Sequence, residues 1–237
     1  MTNYNALAIS TYLWRWVFLC GGFLAMGVGL LRFLFLPARK MVQAKPKWTK
    51  ITSPSCLRVF LVTSPMATAI YTALIFLPGY FHIQGVMSTA QSSIYASIST
   101  LALMVMIILV PLLFRNMTSR SLFILGNRML LICALPICWL MSVHDFYVAG
   151  IVLIIPVAII LSAGLTLICE LCPKGGAQCL IISFAYNIAM SLCGGFTPLL
   201  ATALSFHVSV FWGPMIIPTV TSIIFLLLRR ATLLFWQ

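Results

Sequence analysis

Apolar residues run along this chain in long blocks, broken by short polar or basic stretches and by Gly and Pro. A helix that crosses a membrane needs about 20 predominantly apolar residues. Blocks of that kind fall at roughly 12–36, 58–81, 94–114, 121–143, 148–170, 178–204 and 209–229. The pattern predicts an all-α, polytopic membrane helix bundle of about seven transmembrane helices.

Inside the blocks, polar side chains recur three and four positions apart, so they share helix faces. Ser64, Thr68 and Tyr71 do so in the second span, Tyr95 and Ser99 in the third, and Ser162, Thr166 and Glu170 in the fifth. Asn187, Ser191, Gly194 and Pro198 line up in the sixth. Four polar faces could surround a hydrated cavity. Alternatively, each hydroxyl bonds back to its own helix and the small residues permit close packing, which is the simpler reading of any single Ser or Thr. Both readings stay open for Asn187 beside Tyr186, because an amide in mid-membrane needs a partner. Pro78, Gly194, Gly195 and Pro198 weaken their helices and are candidate hinges.

Composition agrees with the pattern. Hydrophobic residues make up 62% of the 237, charged residues 7%, and the mean hydropathy is +1.13. The formal charge of +12 is distributed by loop. Arg39, Lys40, Lys45, Lys47, Lys50 and Arg58 surround the first loop, Arg115 and Arg120 the third, Lys174 the fifth, and Arg229 with Arg230 the C-terminal end. The second, fourth and sixth loops hold no Lys or Arg. That alternation is a positive-inside pattern. It predicts a multi-pass membrane protein with a cytoplasmic C-terminus and the lipid bilayer, not nucleic acid, as its surroundings. No cleavable signal peptide is expected, since residues 1–11 have no basic n-region.

Little in the chain supports enzymatic chemistry. No Ser/His/Asp set, phosphate-binding Gly loop or metal cluster is legible, and neither a cofactor nor a metal is expected. Cys169 and Cys172 form a C-x-x-C without a second pair or nearby His, and the eight Cys read as small apolar filler. The titratable groups Asp145, Glu170, His82, His144 and His207 all fall near span ends, so none is placed at the midplane for proton coupling.

Three segments resemble a known family. In Glu170 to Leu204, ELCPKGGAQCLIISFAYNIAMSLCGGFTPLLATAL, the residues Glu170, Pro173, Tyr186, Asn187, Gly194, Gly195, Pro198 and Leu199 follow an E-x-F-P, Y-N, G-G-x-x-P-L pattern. It is similar to the penultimate helix of the metabolite:proton symporters of the major facilitator superfamily, relatives of bacterial proline/betaine and dicarboxylate carriers. The opening WRWVFLCGGFLAMGVGLLRFLFL resembles their sixth helix through Trp14, Arg15, Gly21, Gly22, Gly29 and Arg32. IYTALIFLPGYFHIQGVMS resembles the seventh through Tyr71, Pro78 and Tyr80.

The resemblance implies helices six to twelve of a twelve-helix carrier. Residues 1–36 would hold the last helix of the N-terminal half, 37–57 the basic central loop, and 58–237 the six-helix C-terminal half. It further implies proton-coupled uptake of a small polar metabolite, proline/betaine-like or an organic acid, by alternating access with a separately encoded N-terminal half. Thr68, Tyr71, Tyr186, Asn187 and Ser191 would contribute to the substrate site, and Glu170, Lys174, Arg115 and Arg120 to gating. Two departures bear on the gate. The loop PLLFRNMTSRSL has no acid to pair with Arg115 or Arg120, and the basic residue expected after the E-x-F-P motif falls at Ala177. A non-functional remnant of such a carrier and a membrane-embedded accessory subunit are the alternatives.

Overall fold

The computed structural model describes residues 19–31, 34, 54–172, 178–207 and 212–231. Lys174, Ala177 and most of the predicted central loop lie outside them. The chain divides into two units, residues 1–44 and 45–237. The described part of the first is one apolar helix, α1 (Leu19–Leu31), whose Phe23, Leu24 and Met26 are exposed.

Among the described residues, the second unit is a bundle of six helices. They are α2 (Pro54–Ile83), α3 (Thr89–Leu113), α4 (Ser119–Ser142), α5 (Phe146–Leu171), α6 (Gln178–His207) and α7 (Gly213–Ala231). No strand occurs among the described residues. α2 to α6 are long and apolar enough to cross a membrane, whereas the apolar stretches of α1 and α7 are shorter. The protein is an all-α, membrane-embedded bundle, as the apolar blocks predict.

Local chemistry marks where the helices begin and end. Ser88 and Gln91 cap α3 reciprocally: the Gln91 amide donates to Ser88 Oγ at 3.3 Å, and the Ser88 amide to Gln91 Oε1 at 2.9 Å. Thr118 Oγ1 accepts the Ser121 amide at 3.2 Å to start α4. The turn after α2 passes through Gly85 at φ +71°, where glycine is at ease. The turn after α4 uses His144 at φ 65°, closed by the Asp145 amide on the Leu140 carbonyl at 2.9 Å.

α2 and α5 form the centre. In the apolar window of each, 67% of residues are buried, against 17% in α3 and 22% in α6. Lipid offers no hydrophobic drive between helices, so close packing depends on small residues that let a neighbour approach. Gly150 of α5 receives the Tyr95 ring of α3, and Gly164 of α5 receives the Met66 thioether of α2. Gly126 of α4 lies against Ile159 and Ile160 of α5.

Aromatic contacts gather where α2 ends and α5 begins. Phe81 lies 4.7 Å from Phe146 and 5.5 Å from Tyr95, centroid to centroid, and Phe76 stacks on Tyr80 at 5.1 Å. Such pairs contribute about 0.5–1.5 kcal/mol each beyond burial. At the opposite, basic end, Ser119 Oγ of α4 donates to Glu170 Oε1 of α5 at 2.9 Å. Gln178 Nε2 of α6 donates to the Cys169 carbonyl at 3.1 Å.

Candidate functional site

Each of α2 to α7 carries an internal proline, from Pro65 in α2 to Pro218 in α7. Proline alone therefore singles out no hinge. What distinguishes α2 and α6 is a π-helical stretch just before one of their prolines. In α2 it is Tyr71–Phe76, followed by Pro78; in α6 it is Met190–Gly194, followed by Pro198. A π stretch widens the helix and misaligns the backbone ladder, and such stretches recur at functional sites. Proline has no backbone N–H to give the carbonyl four residues before it, which loosens the same region.

The two wide stretches meet. The Tyr71 ring lies over Gly194, and a Cβ built there would sit 2.7 Å from Tyr71 Cε2. A candidate binding residue and a candidate hinge residue are thus one contact. Gly195 faces open space. Pro78 is buried, and its carbonyl accepts Ser92 Oγ of α3 at 2.5 Å, which fixes the far side of the α2 bend.

Below this contact lies a ladder of hydroxyls. Ser64 Oγ donates to the Phe60 carbonyl at 2.8 Å and stands 3.4 Å from Cys193 Sγ of α6. Thr68 Oγ1 is 2.8 Å from Thr221 Oγ1 of α7. Thr197 Oγ1 returns to the Cys193 carbonyl at 2.5 Å. Thr63, Thr72, Thr197 and Ser222 are wholly buried. Among the described residues, three buried side-chain atoms have no hydrogen-bond partner: Thr72 Oγ1, Ser222 Oγ and Asn127 Oδ1. An unsatisfied buried polar atom costs about 1–3 kcal/mol, so a region with several is not optimised for stability alone.

The remaining predicted positions are distributed as follows. Tyr186 packs partly buried against the core. Asn187 and Ser191 lie on the exposed face of α6 together with Ser183, and Asn187 Nδ2 returns to the Ser183 carbonyl at 2.6 Å. Thr166 is exposed and Ser162 bonds back to the Ile159 carbonyl at 3.2 Å. Of the gating set, Glu170 meets Ser119, next to Arg120, and Arg115 is exposed. The bundle thus brings Tyr71 and Gly194 together, turns Thr68 to Thr221 of α7, leaves Asn187 and Ser191 exposed on α6, and sets Glu170 apart at the basic end.

Sequence reasoning missed Thr72, Asn127, Thr221 and Ser222. Asn127 carried the signal applied to Asn187, an amide within an apolar span, and it is the one the fold buries completely. His82 and His144 fall at the aromatic end, where His82 Nδ1 lies 3.2 Å from the Met87 carbonyl. Among the described residues no group of three or more His, Cys, Asp or Glu is arranged to hold a metal ion.

Comparison with known proteins adds no relative: no family model, no curated protein and no solved structure matches this chain. Chemically, the α2–α6 crossing offers one phenol ring, several hydroxyls, the Cys193 thiol and a deformable backbone. The widened stretches and their prolines let the two helices bend at this crossing.

Proposed function

We propose that this bundle is one half of a secondary transporter of the major facilitator type, taking up a small polar metabolite with protons by alternating access. The observation that carries the reading is the Tyr71–Gly194 contact between two π-widened helices, beside an outward α6 face that bears Asn187 and Ser191. Exposed amide and hydroxyl groups at membrane depth are costly in lipid and are tolerated against a second bundle or a hydrated cavity. The substrate would sit between this face and the second bundle. The deformable stretches of α2 and α6 would absorb the rocking motion. Asp145 and Glu170 lie at opposite ends of α5, so the coupling carboxylate belongs to the second bundle. The basic end faces the cytoplasm of a bacterial inner membrane.

The full chain, co-expressed with neighbouring reading frames that encode apolar helices, tests this. Uptake of labelled proline, betaine and dicarboxylates is measured with and without a protonophore. At least one substrate should accumulate in a protonophore-sensitive way, and Tyr71→Ala should reduce that uptake about tenfold or more. Uptake that ignores both Tyr71→Ala and Asn187→Leu would sink the proposal. A second reading, a membrane-embedded accessory subunit, draws on α3. Its exposed Ser93, Ser97 and Thr100 each satisfy themselves on their own helix at 2.8–2.9 Å, leaving a small, smooth face suited to helix packing alone.

A further inference from the structure

The C-x-x-C pair reads as filler in the sequence, yet filler accounts for only one of its two thiols. Cys172, which caps the C-terminal end of α5, is 4% exposed, whereas Cys169 in the last turn of the same helix is exposed. Glu170, also exposed, lies between them and is the group that marks water or headgroup level at this end, since a carboxylate is not left bare in hydrocarbon. Cys169 is therefore within reach of solutes from the aqueous side. Burial pushes the Cys172 thiol up to about 11. Gln178 at the start of α6 holds the Cys169 carbonyl at 3.1 Å, so α5 and α6 converge here.

A reachable thiol with a protected thiol one turn away is the layout of a two-step oxidation site. We propose that Cys169 and Cys172 form a peroxide-oxidisable dithiol site, entered at Cys169 and resolved by Cys172. The Cys169 thiolate attacks hydrogen peroxide; the O–O bond breaks, an S–O bond forms, and the departing oxygen leaves as water after taking a proton. The Cys172 sulfur then attacks the sulfenic sulfur of Cys169. The S–S bond forms, the S–O bond breaks, and a second water leaves with the Cys172 proton. Two thiols lose two electrons, and one peroxide is reduced to two waters. The resulting ring encloses Glu170 and Leu171, so oxidation re-aims Glu170 and releases its bond to Ser119. The site would thereby couple oxidant exposure to the α4–α5 contact at the basic end. Metal capture is the other common use of clustered thiols, but the ligands here do not form a metal-holding group.

The test uses the full chain in proteoliposomes, treated with hydrogen peroxide, blocked with a maleimide and mapped by mass spectrometry. A disulfide confined to Cys169 and Cys172, reversed by dithiothreitol, supports the site. In Cys172→Ser, dimedone adducts at Cys169 should rise several-fold because the resolving thiol is gone. Oxidation that falls instead on Cys20 or Cys179, or runs to sulfinic acid at Cys169 without a disulfide in the unmodified protein, overturns it. The unmodified protein alone decides the question if the variant fails to fold.

Discussion

Single side chains decide how closely these helices approach, and Gly194 is the sharpest case. An added methyl there would stand 2.7 Å from Tyr71 Cε2, inside the distance real side chains keep, whereas one at Gly195 would meet nothing within 4 Å. Gly194→Ala is expected to cost about 1–3 kcal/mol through overpacking. Gly195→Ala should be neutral or slightly stabilising. Thermal unfolding in detergent measures both. Combining Gly194→Ala with Tyr71→Ala should recover part of the loss, because the clash needs both partners; full additivity would mean that the two residues do not touch. Cys172 supplies a pH dependence at the same scale. Its thiol is raised from 9.0 to about 11, chiefly by burial. A group with a raised folded value lends stability that is complete below its unfolded value and disappears as pH climbs through the folded one. The protein should accordingly lose stability between about pH 9 and 11. Alkylation of Cys172 in a variant holding no other cysteine should inflect above 9.0, since burial persists without its thiol neighbours.

At the scale of elements, the spans were legible and their orientations were not. Apolar length sets a helix in a bilayer, and six of the predicted blocks match α2 to α7 to within a few residues at most ends. Which face points inward is a different matter, because lipid and core are equally apolar and the usual polar-out signal vanishes. This is why Asn187 drew attention in the sequence and Asn127 did not, although the fold exposes the first and buries the second. The π stretches were illegible for a related reason. Proline and glycine are frequent in membrane helices, and every helix from α2 to α7 has its proline, so only backbone geometry separates the two that widen. The inward face of α5 can be checked directly. Gly150→Ala would place a methyl 2.0 Å from the Tyr95 hydroxyl and is expected to cost about 1–3 kcal/mol, relieved in part by Tyr95→Leu. Gly79→Ala, which meets nothing within 4 Å, should instead gain up to about 1 kcal/mol from helix propensity. Equal effects at the two glycines would mean that α3 does not cross α5 at this point.

For the whole molecule, the two ends of the bundle differ in chemistry, and that difference is an orientation signal. One end carries Arg58, Arg115, Arg120 and Glu170, with Arg229 and Arg230 in the last residues of α7. The other is built from Tyr80, Phe81, Tyr95, Phe146 and Tyr147, which carry no charge and of which only Tyr147 is exposed. Basic residues resist translocation, so the first end should stay in the cytoplasm, and six antiparallel helices then return the C-terminus to that side. Green fluorescent protein fused after Gln237 should fluoresce, while alkaline phosphatase fused there should be inactive. Alkaline phosphatase inserted in the α2–α3 turn at Gly85, or in the α4–α5 turn at His144, should be active because both turns lie at the aromatic end. Replacing Arg115 and Arg120 together with Gln weakens the local bias, and a fraction of molecules should then report mixed orientation. An active C-terminal phosphatase in the unmodified protein would reverse the whole assignment, placing Glu170 and the Cys169–Cys172 pair outside the cell, where disulfides persist without any peroxide-sensing role.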